Sequence, residues 1–135
     1  MAIKMEIDSA RSRMVWTYKQ GEQTWQHFQD HFDAMRASGG RASACRYLVI
    51  VYNRGLDISA FDADAMELMQ SELYQNHAEL FGEDGMEKTA FVCPDLINRL
   101  AIEHFLAHSK GRLKGEFRIF DTRPEADAWI DGDET

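Results

Sequence analysis

The six residues Tyr47–Tyr52 (YLVIVY) run without a charge between Arg46 and the turn signal Asn53-Arg54-Gly55. A stretch this short and this apolar reads as a strand covered by helices on both faces, so the chain must build an α/β sheet with this strand at its centre. A polar loop carrying Asp57 and Ser59 follows. From Asp62 onward Ala65, Met66, Met69 and Leu73 recur at helical spacing, and the pattern ends near Phe81-Gly82. In open α/β sheets the crevice at the carboxyl ends of the strands is where ligands and partners sit, which makes the loop and helix after Tyr52 the first place to look for function.

The other elements fall into place around this strand. Ile3, Met5 and Ile7 alternate with Lys4, Glu6 and Asp8, Ser9–Arg13 reads as a turn, and Met14–Tyr18 is rich in β-formers. The pair predicts an antiparallel hairpin at one sheet edge. Trp25, Phe28, Phe32 and Met35 mark an amphipathic helix over Glu22–Ala37, stopped by Gly39-Gly40, with His27, Asp30 and His31 on a solvated opposite face. Thr89–Cys93 is a further strand. Pro94 then opens a helix expected to bury Leu96, Ile97, Leu100, Ala101 and Phe105. After the basic loop Lys110–Gly115, Glu116–Phe120 alternates as a last strand. Thr122 and Glu125 have capping-box spacing, with Pro124 inside the first turn of a final helix through Trp129-Ile130. The order β-β-α-β-α-β-α-β-α predicts a single α/β domain over 1–135. Its sheet is mainly parallel, of about five strands with an antiparallel N-terminal edge strand and about four helices.

The charge balance narrows the partners. With 23 acidic against 15 basic residues the net charge is −8, which argues against a phosphate-binding face and so against nucleic acid. Cys45 and Cys93 have no CxxC spacing and suit reduced thiols in a cytoplasm, and no run is long and apolar enough for a signal peptide or an integral membrane segment. His27 and His31, like His104 and His108, stand four apart, yet neither pair has a third ligand at a telling distance, so no metal and no cofactor is expected.

The last third of the chain resembles a known family. TAFVCPDLINRLAIEHFL followed by EFRIFDTRPEADAWI is similar to the SpoIIAA-like proteins of the STAS fold, which close on a phenylalanine-ending strand, a short turn and a helix carrying E-A-x-x-W and an aliphatic residue. Phe120, Glu125, Ala126, Trp129 and Ile130 occupy those places. The resemblance implies a SpoIIAA/STAS-like sheet and a non-enzymatic binding or regulatory module, like the anti-sigma-factor antagonists. In those proteins a D-S-S-G or D-S-T-G loop entering the helix after the central strand is phosphorylated. Here Asp62-Ala63-Asp64-Ala65 keeps the first acid without the hydroxyls, and Asp57-Ile58-Ser59-Ala60 keeps one serine in a shifted register. Asp57, Ser59, Asp62 and Asp64 are therefore the partner-binding or switch candidates. An acid in the first turn also serves as an ordinary cap.

Two further readings follow from the residues. The fold is similar to that of lipid-exchange domains, in which a helix is a lid over an apolar pocket. On that reading segment 61–81 is the lid, and Phe61, Met66, Met69, Phe81 and Phe91 contact a small lipid-like ligand. Cys93 before Pro94, at a helix start, is the reactive-thiol candidate, set against its reading as a buried structural cysteine. The partners left open are a protein, a small apolar ligand and a second copy of the chain.

Overall fold

The computed structural model describes residues 3–18, 21–22, 25–42, 44–53, 56–57, 64, 67–68, 71–72, 75–76, 81, 86–109 and 115–132. Strands β1 (Ile3–Asp8) and β2 (Arg13–Tyr18) are joined by a 3-10 turn at Ser9–Arg11. Then come β3 (Gly21–Glu22), helix α1 (Trp25–Ala37), β4 (Tyr47–Tyr52), β5 (Leu56–Asp57), β6 (Lys88–Val92), α2 (Leu96–Ser109), β7 (Glu116–Phe120) and α3 (Arg123–Asp131). The five-stranded sheet has the order β1-β2-β4-β6-β7, with β1 antiparallel to β2 and every other pairing parallel. The hairpin lies at the edge and β4 at the centre, as the alternation and the apolar run require.

From β2 onward each parallel neighbour is added on the same side, so right-handed crossovers carry their connections over one common face. Strand parity shows the result. Met14, Trp16, Tyr18, Leu48, Ile50 and Phe91 point to that face and pack with Phe28, Phe32 and Met35 of α1, Phe81, and Ile102 and Phe105 of α2. Val15, Val49, Ala90 and Val92 point to the other, where Ala126, Trp129 and Ile130 of α3 cover them. A strand with alternate residues in two cores is buried on both sides, which explains the unbroken run at β4.

Helix α3 is the most fully determined of the helices. The Thr122 side chain accepts from the backbone N–H of Glu125 and donates to its Oε1 at 2.8 Å, so Thr122 caps the helix as its spacing predicts, with the Glu125 carboxylate taking the hydroxyl proton, and Gly132 ends the helix with φ +82°. A buried arginine ties this helix to the sheet. Arg13 Nη1 lies 3.2 Å from Asp127, and Nη2 pairs with Asp131. Lys88 Nζ donates to the Trp129 carbonyl at 2.8 Å and also sits over its ring. Arg13 is thus the first residue of β2 rather than the end of a turn.

Three other expectations are corrected. Glu22 does not start the first helix, which begins at Trp25; with Gly21 it forms a short strand paired in parallel with Leu56–Asp57. His31 is not solvated: it is fully buried, 4.3 Å from Trp16 in an edge-to-face arrangement, with no hydrogen-bond partner for either ring nitrogen among the described residues. The buried stripe of α2 is Asn98, Ile102 and Phe105, whereas Leu96, Ile97 and Leu100 are exposed. Three helices are complete among the described residues. The expected fourth falls largely outside them, although 64, 67, 68, 71, 72, 75 and 81 are helical. The face proposed for its burial (Ala65, Met66, Met69, Leu73) lies outside the described residues, and Asp64, Glu67, Leu68 and Ser71 are the exposed one.

Gly115 marks a close approach of backbones. At φ +101° a Cβ there would meet the Met86 carbonyl oxygen at 1.9 Å, while Gly39, at φ +69°, faces open space. Gly115→Ala therefore costs more than about 2 kcal/mol and Gly39→Ala only about 1, as read from urea denaturation midpoints. Burial lowers the His31 pKa to about 4. A folded value below the unfolded one, about 6.5, means the unfolded chain binds more protons. The stability held above pH ~6.5 is then lost as pH falls to ~4, by up to about 3 kcal/mol. His31→Leu flattens this part of the pH–stability curve.

Candidate functional site at the carboxyl edge of the sheet

Strands β2, β4, β6 and β7 end together at Tyr18, Tyr52, Val92 and Phe120, since Tyr18 is level with Tyr52 and Val92 with Phe120. The connections that follow β2, β4, β6 and β7 leave from this edge. The β3–β5 pair stands beyond it, with Glu22 level with Asp57. Asp57 thus lies in a strand rather than a free loop. Of the other switch candidates Asp64 is helical and exposed, and Ser59 and Asp62 lie outside the described residues.

The reactive groups near this edge are held in their protonated forms. Cys93 is fully buried, its backbone N–H extends the ladder to Phe120 O at 2.9 Å, and its thiol donates to the Asp95 carbonyl at 3.7 Å. Burial, joined by the nearby Asp95 charge, pushes the thiol up to about 11, and Arg99 offsets this only in part. The thiol is therefore held up rather than activated, because loss of hydration is the largest influence on it. Tyr18 and Tyr52 stack at 4.7 Å, nearly parallel, and burial raises both phenols above their ordinary value. Cys45, at the other edge, is likewise raised by burial.

The lid-reading candidates divide in the same way. Phe61, Met66 and Met69 lie outside the described residues. Phe81 and Phe91 are core residues packed by protein rings: Phe81 is 6.0 Å from Trp16, and Phe91 stacks between Tyr52 and Phe117. Among the described residues no group of three or more His, Cys, Asp or Glu is placed to hold a metal ion. None of their helices is long and apolar enough to cross a membrane. A depression of about 250 Å³ at the opposite edge is lined by Ser9, Ser12, Gly39, Gly40, Arg41, Ala44 and Cys45, and includes none of the sequence candidates.

What this edge presents is surface. Leu96, Ile97 and Leu100 occupy the first two turns of α2, directly after β6, and are 70%, 78% and 55% exposed. Charge surrounds them. Arg99 donates to Asp121 at 2.6 Å and lies 3.9 Å from Glu103, with Asp95 at the helix start. The sequence held a signal for this: apolar residues fall on all sides of α2, more than one neighbouring sheet can cover. Compared with models of known protein families, with curated proteins and with solved structures, the chain matches none.

A protonated, enclosed thiol sets the expected chemistry of Cys93. In native buffer at neutral pH its alkylation by iodoacetamide runs at least ~100-fold slower than that of a free cysteine peptide, and unfolding in urea restores it. Mass spectrometry of the modified peptide reads both rates.

Proposed function

We propose that this chain is a cytoplasmic, non-enzymatic binding module of the SpoIIAA-like, STAS type that docks a protein partner on the carboxyl edge of its sheet. The exposure of Leu96, Ile97 and Leu100 carries this reading. Scattered surface leucines are ordinary, but three large aliphatic side chains on adjacent turns form a contiguous patch at the edge where α/β sheets bind. The order of elements and the capped C-terminal helix support the STAS assignment. The muted thiol and phenols support binding over reaction. On this reading Asp57, Ser59, Asp62 and Asp64, on the connection after the central strand, are the acids and hydroxyl that would tune the partner's binding.

A benzophenone amino acid placed at position 97 is expected to give a discrete photo-adduct with one partner in cells, whereas the same group at position 116, on the opposite edge, gives none. Equal labelling from both positions, or none from 97, sinks the reading. Because the three side chains are solvent-facing, the combined Leu96→Ser, Ile97→Ser and Leu100→Ser variant keeps its stability within about 1 kcal/mol. It loses the partner captured by the parent chain.

A further inference from the structure

The patch on α2 is set among carboxylates. Asp95 precedes it, Glu103 lies one turn beyond Leu100, and Asp121 approaches from the end of β7. Glu103 and Asp121 remain largely open to solvent. Arg99 is engaged by both Asp121 and Glu103, so among the described residues these two exposed carboxylates share one guanidinium. The chain as a whole carries −8. Leu96, Ile97 and Leu100, at spacings of one, three and four, match the stripe that an apposed amphipathic helix offers.

We infer that the partner segment covering Leu96, Ile97 and Leu100 is a basic amphipathic helix, its apolar stripe on the patch and its lysines or arginines against Glu103 and Asp121. This rests on the docking reading above and adds the chemistry of the occupant. A second copy of the chain is disfavoured, because a two-fold contact would bring the same acidic rim against itself and like charges there oppose association. An acidic segment meets the same repulsion. A basic one is steered in by the field of the whole chain and retained by the rim.

The test uses the full chain and three fluorescein-labelled synthetic helices with an identical Leu/Ile stripe, flanked by Lys, Gln or Glu, in anisotropy titrations at low and high salt. The Lys-flanked helix is expected to bind at least about ten-fold more tightly than the Glu-flanked one at low salt, with the advantage shrinking as salt rises. Combining Glu103→Gln with Asp121→Asn narrows that preference, Arg99→Gln widens it, and Leu96→Ser with Ile97→Ser abolishes binding of all three. Equal or tighter binding of the Glu-flanked helix, no binding of any helix, or a Lys preference untouched by the rim variants overturns the inference. So does a dimer in sedimentation that the Leu96→Ser, Ile97→Ser variant dissociates. If the helices fail while position 97 still captures one partner, the basic occupant is wrong and the docking surface stands; if both fail, the surface itself is wrong.

Discussion

Burial of β4 on both faces is the constraint on which the rest of the structure depends. Leu48 and Ile50 go to one core and Val49 and Val51 to the other, each fully buried side chain contributing about 1.5–3 kcal/mol. A strand with two apolar faces needs cover on both, and parallel neighbours supply it through the connections they require. Adding those neighbours always on the same side sends α1 and α2 over one face. Among the described residues, the element after the last strand covers the other.

The two faces are consequently closed by different means. The first has rings from several elements in mutual contact: Tyr18 on Tyr52, Phe91 between Tyr52 and Phe117, and Trp16 beside Phe81 and His31. Among the described residues the second is covered by one nine-residue helix, too short to be stable without help. Its help is specific. The Thr122 cap starts it, Gly132 stops it, and Arg13, buried at the foot of β2, holds Asp127 and Asp131. Such a pair adds little net stability against an apolar replacement, but removing either side strands a charge, so it fixes where the helix sits.

At the carboxyl edge, burial removes reactivity and leaves surface. The same desolvation that keeps Cys93 and the stacked tyrosines protonated makes them part of the core. Helix α2, apolar on more sides than the sheet can cover, turns its surplus outward at Leu96, Ile97 and Leu100. A partner with its own apolar stripe is what such a surface is suited to, and the acidic rim sets the sign of that partner's charge.

The sequence by itself determined the five strands of the main sheet, the helices α1, α2 and α3 and their order, because strand alternation, the helical spacing of apolar residues and the Thr122 cap are local signals. It placed the hairpin, the central strand and the last helix correctly. His31 was also within reach, since Phe28, His31, Phe32 and Met35 follow the spacing of one buried stripe and only the residue's polarity argued otherwise. Tertiary structure alone decided which residues became accessible. Arg13 is buried because two carboxylates from the far end of the chain meet it, and the β3–β5 pair joins segments some thirty-five positions apart in sequence. Leu96, Ile97 and Leu100 are exposed because the sheet covers one face of α2. Periodicity reports which side chains are apolar; the area that neighbouring elements cover decides which of them leave water.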